Sequence, residues 1–149
     1  MTPLASEHKT YFEDVTVGLV LETPGMTVSE AHVAMFGGLS DDRPSEAGLV
    51  QDLLPLCLSS GLGWRVAQPP LVVLAFMGFE WRFVQPARVG DTIRAVSKSL
   101  AKRLMKEGGV VIEERRILNQ RDEVLQTGKL TLLVAKRPGR EDTAAEGPR

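Results

Sequence analysis

Residues 82–93 read Arg-Phe-Val-Gln-Pro-Ala-Arg-Val-Gly-Asp-Thr-Ile, and this stretch constrains the fold more than any other. An apolar strand runs up to Val84. Pro86 lacks the N–H that a ladder requires and stops it. Gly90 and Asp91 make a turn, and a second strand begins at Thr92. The segments around it also read as strands. Residues 71–84 are rich in Val, Phe and Trp. Residues 91–103, 110–119 and 124–135 follow, divided by turns at Glu107-Gly108-Gly109 and Asn119-Gln120-Arg121-Asp122. Leu130, Leu132 and Val134 alternate with Lys129 and Thr131, the pattern of a sheet with one covered face. Short connections between consecutive strands imply antiparallel pairing. Phe79, Trp81 and Phe83 share a parity that turns them toward the core.

The first half of the chain reads differently. A short strand is expected over residues 19–22, and Pro24-Gly25 makes a turn. Ser29 suits a helix N-cap, and a helix should follow to Leu39, with Val33, Phe36 and Leu39 on one face. Gly37-Gly38 loosens its end. Residues 49–62 form the most apolar helical candidate. Val50, Leu53, Leu54, Cys57, Leu58 and Leu62 cover much of its circumference, which predicts burial nearly all round. Pro55 either kinks this helix or marks its true first turn. One buried helix and an antiparallel sheet give an α+β fold in which the sheet wraps the helix. Residues 11–135 make one domain, between a flexible leader (1–10) and a charged tail (136–149) expected to be disordered.

Composition limits the function classes. Of 149 residues, 43% are hydrophobic and 25% charged, which suits one globular domain with a core. A formal charge of -1 and the absence of a basic cluster give no basis for nucleic acid or an anionic membrane as partner. No apolar run reaches the ~20 residues that span a bilayer, and no signal peptide is visible, so a cytoplasmic location is expected. Cys57 has no disulfide mate and reads as a small buried hydrophobe. Two histidines and one cysteine are too few for the usual zinc ligand set, so no metal is expected. His32, in the first helix, reads as structural. Walker-type, dinucleotide-binding and serine-hydrolase motifs are absent.

Several local patterns, in order, resemble the MaoC-like acyl dehydratases and (R)-specific enoyl-CoA hydratases. Tyr11-Phe12-Glu13-Asp14 with Val17-Gly18 is similar to that family's opening. Arg82-Phe83, Pro86 and Gly90-Asp91-Thr92 resemble its Phe-x-x-Pro-Val-x-x-Gly-Asp-Thr segment. Asn119-Gln120 with Glu123-Val124 resembles its late hairpin. The resemblance covers residues 11–135 and implies a single hotdog domain.

The family's hydratase signature is Asp-x-x-Pro-x-His. Here Asp41 and Pro44 match, and Glu46 stands where His is expected. Gln51 and Asp52 take the place of the His-Gly that opens the central helix. The resemblance implies a water held by an acid–base pair, with its oxygen adding to Cβ of an enoyl thioester and a proton going to Cα. A backbone N–H at the helix start would polarise the thioester carbonyl. Asp41 and Glu46 are therefore the candidate catalytic residues, and Gln51 and Asp52 the candidate substrate-binding ones. Two neighbouring carboxylates sharing a proton would replace the near-neutral acid–base group that His supplies. The segment also suits a solvated turn.

Three functions stay open. The chain is an acyl-thioester enzyme, either a hydratase–dehydratase with an altered site or a thioesterase. It is a non-catalytic thioester-binding or partner subunit. Or it is a structural module without an acyl ligand. No cofactor is implied beyond an acyl-CoA or acyl-carrier thioester as substrate. The resemblance implies a homodimer, or a heteromer with another hotdog subunit.

Overall fold

A computed structural model of the protein describes residues 8–139. Residues 1–7 of the expected leader and 140–149 of the expected tail lie outside them. Strands β1 (Val20–Glu22) and β2 (Met26–Thr27) come first, then helices α1 (Glu30–Ser40) and α2 (Leu54–Leu62). The long strands β3 (Val73–Phe83), β4 (Thr92–Met105), β5 (Gly108–Leu118) and β6 (Val124–Val134) complete the chain. The sheet order is β1-β4-β5-β6-β3, with β2 also on β4, and every strand pairing is antiparallel. The expected α+β architecture is present, and the four late strands fall where the alternation put them.

The diagnostic segment works as a crossing and not as a hairpin. β3 pairs with β6, so residues 84–91 carry the chain across to β4. Gly90 makes the turn at φ +96°. The buried Asp91 carboxylate accepts from Arg88 N–H at 2.8 Å and from Gln120 Nε2 at 2.9 Å. The Gly-Asp pair is informative because a left-handed turn and a fully satisfied carboxylate are both needed there.

Both helices depart from expectation. α2 begins at Leu54, and Pro55 sits in its first turn, where a missing N–H costs nothing. Leu49 instead bridges to Arg88, and Val50 N–H donates to Ala87 O at 3.0 Å. Burial is one-sided: Leu54, Pro55, Ser59 and Leu62 are buried, whereas Leu53 and Cys57 are exposed. A single sheet layer covers only one flank of a helix. Cys57 is therefore not the core residue its leucine neighbours suggested. α1 keeps its Ser29 cap, and Ser29 N–H donates to His32 Nδ1 at 3.0 Å, which makes His32 structural. It runs through Gly37-Gly38 and ends at Asp41, in the left-handed region. Val33 and Phe36 pack on the core, but Leu39 is 88% exposed.

Two packed clusters hold the sheet. Val28, Val50, Leu54, Ala87, Ile93, Ile117 and Leu125 fill the space under the start of α2. Phe12, Val15, Val111, Leu132 and Val134 form the other. Gly108 and Gly109, expected in a turn, lie in β5, and the turn is Lys106-Glu107. A Cβ on Gly109 would overlap the Phe12 ring, so the strand must stay bare there. The fold also reaches past its expected ends. Thr10 N–H donates to Pro70 O at 2.9 Å, and Arg137 N–H donates to Glu13 at 2.9 Å.

Candidate functional site

The start of α2 is tied to the sheet by a chain of polar contacts. Gln126, on β6, is buried; its Nε2 donates to the Asp52 carbonyl at 2.7 Å. Its Oε1 accepts from Trp81 Nε1 on β3 at 2.9 Å. Trp81 needs the bare backbone of Gly128 beside it, since a Cβ there would strike the Trp81 ring and the Glu80 carbonyl. A cavity of about 180 Å³ opens beside this network, lined by Asp52, Phe83, Val84, Gln85, Pro86 and Gln126. Among the described residues, the N–H groups of Asp52 and Leu53 make no hydrogen bond. They are the unpaired donors that any helix start presents, and Asp52 lines the cavity.

Gln51 is buried and points the other way. Its Nε2 donates to Val33 O at 2.8 Å and to Asp42 O at 3.2 Å, and its Oε1 is buried without a partner. Both N–H donors are thus spent on pinning α1 and the following loop to the root of α2. Asp41 caps α1 through its backbone, and its carboxylate, 92% exposed, faces Arg43 at 3.6 Å. Glu46 is exposed on the same loop, and its carbonyl accepts from Leu49 N–H. Asp41 and Glu46 line neither this cavity nor the larger one farther along α2. Asp52 alone of the four candidates faces the cavity, and Gln51 stands next to it in the chain.

Gln126 and Trp81 were not among the sequence candidates. The signal was present: Gln126 shares the inward parity of Leu130, Leu132 and Val134, and a polar residue at such a position needs a partner. Among the described residues no group of three His, Cys, Asp or Glu could hold a metal ion, and no helix is long and apolar enough to cross a membrane.

No family model matches the chain, and no curated protein matches its sequence. Solved structures do match its fold. A monoamine oxidase regulatory protein from Archaeoglobus superposes with a TM-score of 0.80 at 25% identity, over 91% of this chain and 100% of that one. A MaoC-like dehydratase from Rhodospirillum rubrum follows at 0.74 and 22%, over 87% and 99%. The chain has the MaoC-like hotdog fold. An (R)-hydratase from A. caviae involved in PHA biosynthesis agrees at 0.66 and 24%, over 85% and 99%.

On this hotdog frame α2 is the central helix, and the polar chain Trp81–Gln126–Asp52 fixes where its first turn meets the sheet. The hotdog sheet ends at β3, an edge strand of 11 residues. Phe76, Met77, Phe79 and Phe83 on it are each about half exposed. The expected inward parity of Phe79, Trp81 and Phe83 holds, because they pair with Leu130, Gly128 and Gln126. Only Trp81 packs into the core, because α2 does not extend over the sheet edge.

Proposed function

We propose that this protein binds an acyl thioester, with acyl-CoA the carrier, and acts on it as a hydratase or dehydratase whose acid–base pair is altered. The observation that carries the reading is the crevice beside the first turn of α2, with Asp52, whose N–H is unpaired, on its lining and apolar walls at Phe83 and Val84. Such a donor suits the oxygen of a polarised thioester carbonyl, where negative charge grows during addition of water. In this reading Asp41 is the base and Glu46 the acid. Both belong to the loop that leads into α2 and lie outside the crevice walls, so the loop must fold over the mouth for either carboxylate to reach a water there. Gln51 anchors that loop, and Asp52 supplies the N–H that holds the substrate.

Two copies joined through β3 complete the site in this reading. A long apolar edge strand left open is a template for pairing, and exposed apolar patches of this kind mark interaction surfaces. A strand laid against β3 would wall the crevice at Phe83 and Val84. A second copy of this chain is the occupant proposed, in the cytoplasm, where CoA thioesters are soluble. No cofactor takes part.

The test is hydration of crotonyl-CoA by the purified protein, read as loss of the enoyl absorbance. Turnover that drops by about 10²-fold or more in Asp41→Asn and Glu46→Gln supports the assignment, on the scale of a lost acid or base. A protein that neither hydrates crotonyl-CoA, nor releases CoA from a thioester panel, nor gains thermal stability with CoA overturns it.

A further inference from the structure

The outer face of the sheet carries its charges in order. Lys98 on β4, Glu114 on β5, Lys129 on β6 and Glu80 on β3 stand opposite one another in register. The sign alternates along this row, and opposite charges on facing strands attract. The next row runs Val96, Arg116, Thr127 and Arg82, so Arg82 faces only a hydroxyl. Among the described residues neither Glu80 nor Arg82 belongs to an ion pair, and both are exposed on the open edge strand.

The backbone of that edge is regular over one stretch. β3 slips against β6 between Phe76 and Gly78, and from Gly78 to Phe83 the pairing is unbroken. Val84 extends it, since its N–H donates to Leu125 O at 2.8 Å. That bond points into the sheet. By the alternation of an antiparallel ladder, Phe79, Trp81 and Phe83 turn their N–H and C=O groups to the open edge. Pro86 has no N–H to offer a further strand.

We infer that a second copy pairs antiparallel with β3 in the register that sets Trp81 opposite the partner's Trp81; the inference rests on the pairing through β3 proposed above and fixes its geometry. Inward residues must meet inward residues, so the register can move only in steps of two. A step one way sets Glu80 against the partner's Glu80 and brings the irregularity at Met77 into the ladder. A step the other way sets Arg82 against the partner's Arg82 and brings in Pro86. The register between them sets Glu80 against the partner's Arg82 on the outer face, twice by symmetry. It also sets Phe79 against the partner's Phe83 on the inner face, where both rings are half exposed. The whole regular stretch from Gly78 to Val84 is then paired. Trp81 holds Gln126, which holds Asp52, so the polar chains behind the two crevices meet at the two-fold axis.

Sedimentation equilibrium at low ionic strength tests the register through charge reversal. Glu80→Arg and Arg82→Glu should each raise the dimer dissociation constant about tenfold, because each places like charges opposite at both symmetric contacts. The double variant Glu80→Arg/Arg82→Glu should restore the native value to within about threefold. A charge that faced its own copy would give no such pattern, since reversing it leaves a like-charge contact in place. Cross-linking in a Cys57→Ser background is the second measurement. Under mild oxidation, Glu80→Cys and Arg82→Cys chains should form a disulfide when mixed and none when either is alone, since residues directly opposite lie within disulfide reach. A native chain that is monomeric at all concentrations overturns the pairing through β3 and the register with it. A native dimer that is indifferent to both reversals, a double variant as weak as the singles, or a Glu80→Cys chain that cross-links to itself overturns the register alone.

Discussion

Gln126 Nε2 donates to the backbone carbonyl of Asp52 at 2.7 Å, and this one bond sets the height of the central helix over the sheet. The same amide accepts from Trp81 Nε1, so three elements meet at a single buried side chain. Gln126→Leu removes both bonds and leaves a buried indole N–H and a carbonyl without partners. The expected loss is about 2 kcal/mol, measured by urea unfolding. Crevice ligands should weaken with it, because Asp52 loses its tether.

Gly109→Ala should destabilise by about 1–3 kcal/mol through overpacking. The new methyl would occupy the space of the Phe12 ring. Phe12 must then leave its cluster with Val15, Val111 and Leu132. A lowered thermal midpoint, together with faster amide exchange near Phe12, checks it. Gly38→Ala serves as the control, since a Cβ there meets nothing.

Stability should fall in acid partly through Asp14. The Tyr11 N–H that donates to it, and then Arg137, hold its carboxyl below the ordinary carboxylate value. A lowered folded value means that the contribution is complete above the unfolded pKa, about 3.9. It is lost as pH falls through the folded value. Asp14→Asn should therefore lower the thermal midpoint at neutral pH, and the gap from the native protein should close in acid. A gap that stays constant with pH would contradict the assignment.

Replacing Phe76 and Phe79 by Asp should leave the protein monomeric. Both rings are half exposed on β3 and lie 5.9 Å apart, centroid to centroid. Sedimentation equilibrium should give a dimer for the native chain and a monomer for the variant. A native monomer at all concentrations would remove the pairing proposal.

The four long strands were legible because their residues alternate with a period of two, and such a period is a local property. The Gly90-Asp91 turn was legible because its φ and its carboxylate demand particular residue types. Partners were not legible. The segment that reads as strand–turn–strand joins β3 to β4, yet β3 pairs with β6, and nothing near Val84 encodes that choice. The start of α2 at Leu54 and the exposure of Cys57 depended on where a one-layer sheet could reach. Apolar composition alone does not say which flank is covered.

The chain's own letters determined a hotdog-like alternation of elements, the turn at Gly90, and inward parities that include the polar Gln126, Glu113 and Arg115. Tertiary structure decided what those inward polar groups meet: a helix carbonyl for Gln126, and each other beside the larger cavity for Glu113 and Arg115. Parity is a matter of adjacent bonds, whereas a partner is supplied by residues dozens of positions away that only folding brings near.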